Sequence, residues 1–117
     1  MVQADISQLS RECNTWRDAL RAFRDEFTQD KSKLQQLASR SLSKEDLTEV
    51  EHYHNQFHIQ LINIHNIKHE IKFHLREAER HPNFGHRIPH HNIKGKYDML
   101  INDLDRLEDE FHTFIKQ

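Results

Sequence analysis

Apolar residues recur along this chain at spacings that alternate between three and four. The first run is Ile6, Leu9, Cys13, Trp16, Leu20, Phe23, Phe27, Leu34 and Leu37, with Asp30 in the one place that lacks an apolar group. Such a heptad seam belongs to helices packed nearly parallel to one another. It predicts a first helix over about 5–38, with Asp5 as its cap and Gln8 three residues on. A second run, Leu47, Val50, His54, Phe57, Leu61, Ile64, Lys68, Ile71, Leu75 and Ala78, predicts a helix over about 43–80. Its start is marked by Ser43, whose hydroxyl can accept from the Asp46 amide, and by Leu42 and Leu47 as a hydrophobic staple. The helix is expected to stop before His81-Pro82, because proline disfavours helix at the residue before it. A third run, Ile93, Tyr97, Leu100, Leu104, Leu107, Phe111 and Phe114, predicts a helix over about 92–116. Between them, the segment 81–92 is a loop in which Phe84 and Ile88 are expected to tuck under the end of the bundle.

No segment alternates with the period of a strand, so the expected class is all-α in one domain over 1–117. One short turn and one longer loop imply an antiparallel, up-down-up three-helix bundle with long coiled-coil-like helices. The lengths do not match. The first two helices span about 50–57 Å and the third about 38 Å. A third helix folded back from Pro82 ends opposite about His54. The tip carrying Leu34, Leu37, Leu42, Leu47, Val50 and Tyr53 is then expected to lie partly bare. Bare apolar surface of this kind meets a partner, here a homodimer or another helical protein.

Composition narrows the class further. Seventeen Lys and Arg against nineteen Asp and Glu give a formal charge of −2, which does not favour a nucleic-acid or anionic-membrane binder. Arg17, Arg21 and Arg24 share one helical face, but Asp18 and Asp25 accompany them. No stretch approaches the roughly 18 apolar residues of a membrane span. The first residues show no basic region followed by an apolar run. A cytoplasmic protein with no membrane contact is the expectation. The single cysteine, Cys13, sits at a seam position and reads as a buried thiol.

The chain holds 11 histidines, and all but His112 lie between His52 and His91. Their protonation moves the formal charge from −2 to −2 + 11 = +9. At about 100° per residue, His54, His58, His65 and His69 fall on one arc of the second helix. Imidazoles at i and i+4 can share a transition ion, so His54/His58 and His65/His69 are candidate metal pairs for zinc, iron or nickel. Antiparallel pairing is expected to bring Asp25 and Asp30 near His54 and His58, His112 near His58, and Asp18 near His65. Glu51-x-x-His54 has the form used by di-iron bundles, with Asp109-x-x-His112 a weaker counterpart. Unoccupied, the same pairs are ordinary surface imidazoles. His54 also stands on the seam, where a buried neutral ring makes packing sensitive to acid.

The run His69-Glu70-Ile71-Lys72-Phe73-His74-Leu75 resembles the phosphoacceptor box of sensor histidine kinases. The resemblance implies a dimerising helical hairpin, with His69 as phosphoacceptor and Glu70 as the acid/base beside it. His74 stands where that family usually has proline, and the chain carries no glycine-rich nucleotide lid, so only an acceptor role is implied. His91-x-x-Lys94-Gly95 resembles a fragment of histidine-phosphotransfer domains. No nucleophile–base–orienter set stands at helical spacing. The leading expectation is a non-enzymatic helical interaction or oligomerisation module. A histidine-rich metal-binding bundle and a phosphorelay acceptor are the alternatives.

Overall fold

The heptad seams become three helices: α1 (Ile6–Ala38), α2 (Lys44–Arg80) and α3 (His90–Lys116). The computed structural model describes residues 6–40, 42–80 and 90–116. The expected cap Asp5 and the expected tucked residues Phe84 and Ile88 lie outside the described residues. Helix α3 starts two residues earlier than its apolar run required, because His90 is bound into the interior. No strand occurs among the described residues, and the class is all-α.

Local signals account for the boundaries. Ser43 caps α2: its Oγ accepts from the Asp46 amide at 3.1 Å and its carbonyl accepts from the Leu47 amide at 3.0 Å. At the end of α1, the Arg40 amide donates to the Leu37 carbonyl at 3.1 Å and the Ser39 hydroxyl donates to the Gln36 carbonyl at 2.7 Å. These bonds use carbonyls that a helix terminus otherwise leaves open.

Contacts fall in opposite order along α1 and α2. Phe27 meets Phe57, while Leu34, Gln35 and Ala38 share a groove with Val50 and His54. The same holds between α2 and α3, where His74 bonds to His90, Glu70 to Lys96, and the Tyr53 hydroxyl to the Glu110 carbonyl. Along α1 and α3 the order is shared: Glu12 and Trp16 meet His90 and Tyr97, and Glu26 meets Glu108. The molecule is a rod of 60 × 19 × 18 Å. Phe27, Phe57 and Phe111, one ring from each helix, form its closed centre.

Two readings of the seams are corrected. On α2 the buried set is Val50, Tyr53, Phe57, Ile64, Ile71, His74 and Ala78. Tyr53 and His74 are buried where the expected seam had their neighbours His54 and Leu75. A helix wedged between two others buries a wider arc than a two-position seam. The tip is also not bare. Leu34, Val50 and Tyr53 are buried, and Leu37 and Leu42 pack against the core, leaving Leu47 as the exposed member. The ends of α1 and α2 cover each other there, and Phe114 reaches Tyr53 with ring centroids 5.0 Å apart.

Candidate functional site

Among the described residues, the large apolar side chains left exposed are Leu47, Ile59, Ile62 and Phe73 on α2 and Met99 and Ile115 on α3, and only those on α2 form a run. Ile59, Ile62 and Phe73 are 48%, 48% and 52% exposed. Their spacing of three and eleven puts them on one stripe, with Asn66 and His69 in the intervening places and Asn55 one turn before Ile59. Numbered as a heptad with Ile59 at a, this outer stripe has Ile62 and His69 at d and Asn66 and Phe73 at a. Phe57, Ile64, Ile71 and Ala78 then occupy the f positions, and all four are buried. Helix α2 therefore carries one apolar face into the core and a second directly away from it.

The interior holds a polar centre between α1 and α3. Asp30 is 1% and Glu108 8% exposed. Asp30 fills the gap in the α1 seam. Glu108 follows Leu107 and sits one turn after Leu104, so the arc that buries Leu104, Leu107 and Phe111 takes it inside too. Lys33 Nζ is 3.8 Å from Asp30 Oδ1, while Asp30 Oδ2 has no hydrogen-bond partner. His112 Nε2 lies 2.6 Å from Glu108 Oε1, but off the line of a hydrogen bond, and neither Glu108 oxygen has one. Burial first, then the adjoining Asp30 carboxyl, push the Glu108 carboxyl up to about 8. Glu26 completes the group: it, Glu108 and His112 each offer a donor atom, all within 4.8 Å of one another.

A second polar centre closes the other end. Glu12 Oε2 is 2.5 Å from His90 Nε2, and His90 Nδ1 is 3.1 Å from the Nε2 of buried His74. Trp16 stacks between His90 and Tyr97, at centroid distances of 5.0 and 5.2 Å. The bond to His90 lowers the Glu12 carboxyl, and burial, then the charge on His90, lower His74 below the usual imidazole range. A lowered imidazole favours the neutral folded form, so its stabilisation is present above about pH 6.5 and lost as pH falls from there through the folded value. The thermal midpoint is expected to fall below pH 6.5, and more shallowly in His74→Leu. Equal acid limbs in the two proteins, measured by circular dichroism, rule His74 out as the cause. Cys13 next to Glu12 is fully buried, and burial raises its thiol to about 11, which makes it packing and not a nucleophile.

The remaining residues singled out by spacing are dispersed. His54 rims the open groove near Leu34 and Val50, and His58 is exposed. Asp25 pairs with Arg24 at 3.2 Å and Asp18 with Arg21 at 3.5 Å. His65 and His69 pack ring to ring at 4.5 Å and line a positive groove with Arg17, Arg21, Lys68 and Lys72. Glu70, beside His69, pairs with Lys96 at 2.9 Å. Of the expected metal residues, Asp30 and His112 each adjoin Glu108 at the α1–α3 centre, and Glu26 and Glu108 stand there in place of the paired imidazoles. Comparison with family models, with curated proteins and with solved structures returned no match. No helix among the described residues is long and apolar enough to cross a membrane.

Proposed function

We propose that this chain is a non-enzymatic helical interaction module: an up-down-up antiparallel bundle that pairs with a second copy of itself through the outer stripe of α2. The observation that carries the reading is the two-sided character of α2, with Ile59, Ile62 and Phe73 each about half exposed opposite the buried Phe57, Ile64, Ile71 and Ala78. A helix apolar on two opposite faces has a partner on each. A second copy is the occupant because the stripe is self-complementary in register. A two-fold pairing sets Ile59, Ile62 and Phe73 against their own counterparts and Asn66 against Asn66, the polar layer that specifies register at an a position. The flanking g and e positions then oppose Lys72 to Glu77 and His65 to Glu70. Three apolar layers make a small interface, so the association is weak and reversible, with a Kd on the order of 10–100 μM.

Sedimentation equilibrium tests it. The native chain is expected to shift from monomer to dimer across that concentration range. Ile62→Glu is expected to remain monomeric with its helix content unchanged, since the side chain is outside the core. Asn66→Ile is expected to tighten association by roughly tenfold or more while loosening its register. A chain that stays monomeric near millimolar concentration, or a dimer indifferent to Ile62→Glu, removes the reading and leaves the stripe to a different helical protein.

A further inference from the structure

The α1–α3 centre has a composition that packing does not explain. Two carboxyl side chains, Asp30 and Glu108, are each at least nine-tenths buried, yet Asp30 Oδ2 and both Glu108 oxygens make no hydrogen bond. Orphaned buried acceptors are costly, and two of like charge side by side are more so. An apolar pair of the same volume packs there without that cost. A set of donor atoms of the kind that ligate transition metals surrounds Glu108. Glu108 and His112, at i and i+4, lie on one face of α3, and Glu26 approaches from α1.

We propose that Glu26, Glu108 and His112 bind a single divalent first-row transition ion, Zn²⁺ in the first instance, with Asp30 as the buried carboxyl that orients Glu108. Two carboxylate oxygens and one imidazole nitrogen leave a fourth tetrahedral position for water, as in open zinc sites. Bond lengths near 2.0–2.2 Å require donors about 3.5 Å apart. The donors now lie within 4.8 Å of one another, with His112 and Glu108 at 2.6 Å, so the half-exposed His112 ring draws back slightly and Glu26 sets the remaining distance. Magnesium and calcium are disfavoured, because they seek six or more oxygen donors and gain little from imidazole. Among first-row ions the affinity order favours zinc over manganese and iron(II) for such a set. The ion sits at one edge of the rod and ties α3 to α1, away from the α2 stripe, so its occupancy and the pairing of two copies are separate questions.

With 11 histidines in the chain, stray ions must be separated from a built site. The test is isothermal titration of Zn²⁺ into the full, untagged chain at pH 7, with the thermal midpoint followed in parallel. One ion per chain is expected to bind in the native protein and to raise its midpoint. Glu108→Gln and His112→Ala are expected to lose at least tenfold in affinity for that ion and to show no zinc-dependent rise. The double variants His54→Ala/His58→Ala and His65→Ala/His69→Ala are expected to bind as the native chain does, and Mg²⁺ to give no shift in any of them. Circular dichroism without metal confirms that each variant is folded. No stoichiometric ion, or a stoichiometric ion that survives Glu108→Gln and His112→Ala, or one lost with His54 and His58, overturns the proposal.

Discussion

Glu108→Gln is expected to make the metal-free protein more stable at pH 8, by about 2–3 kcal/mol, and to leave it nearly unchanged at pH 5. The reason is a proton held by the folded state. Burial and the neighbouring Asp30 raise the Glu108 carboxyl to about 8, against 4.5 in an unfolded chain. A raised folded value means that the stabilisation is complete below pH 4.5 and is lost progressively as pH rises from there through about 8. At about 1.4 kcal/mol per pH unit the full interval converts to about 5 kcal/mol. The His112 side of the pair is open to water, and roughly half of that survives screening. Glutamine keeps the shape, cannot ionise, and brings an amide that can donate to the orphaned Asp30 Oδ2. Urea unfolding of both proteins at pH 5 and pH 8, with a chelator present, measures the difference. A variant less stable than the native chain at both pH values means instead that Glu108 makes a stabilising contact in the folded protein that glutamine cannot replace.

The same centre shows where sequence reasoning reached and where it stopped. On α1 and α3 the heptad seams correspond to the buried residues almost one for one, because each helix turns a single face to its neighbours. Asp30 was visible as the polar member of the α1 seam, and it is among the most buried side chains in the molecule. Glu108 was not visible. A glutamate flanked by Leu107 and Asp109 reads as surface, and only the approach of α1 shows that the arc past Leu107 is enclosed. On α2 the buried set departs from the periodic seam by one residue at Tyr53 and His74 for a related reason. Apolar groups lie on both of its faces, so periodicity alone does not say which set is the core. For the same reason periodicity does not single out Ile59, Ile62 and Phe73. The histidine pairs at i and i+4 were correct as spacing, but spacing within one helix carries no information about what the next helix offers. His90, in the stretch read as loop, joins Glu12 to His74 across three helices, a juxtaposition that no local pattern encodes.

Phe57→Ala is expected to have the largest effect of any single substitution in this chain. Phe57 is fully buried, and its ring centroid lies 4.9 Å from Phe27 on α1 and 4.9 Å from Phe111 on α3, edge to face with the latter. Among the described residues, the three rings are the place where each helix contributes a phenylalanine to a common contact. Truncation removes the buried ring and leaves a cavity whose walls belong to three separate helices. A thin rod cannot close such a cavity without sliding one helix against the others, so relaxation recovers little. The expected cost is about 3–5 kcal/mol, against a total stability on the order of 5–15 kcal/mol for a domain of this kind. That corresponds to a drop in thermal midpoint of roughly 15–30 °C. Phe73→Ala is the matched control: the same chemical change on the same helix, but at a half-exposed position, is expected to cost about 0.5 kcal/mol or less in the monomer. Thermal unfolding followed at 222 nm compares the two. Equal losses mean that the α2 stripe is already packed against something as firmly as the core is. A small loss for Phe57→Ala means that the rod is held mainly by its ends, where Trp16 stacks with His90 and Tyr97.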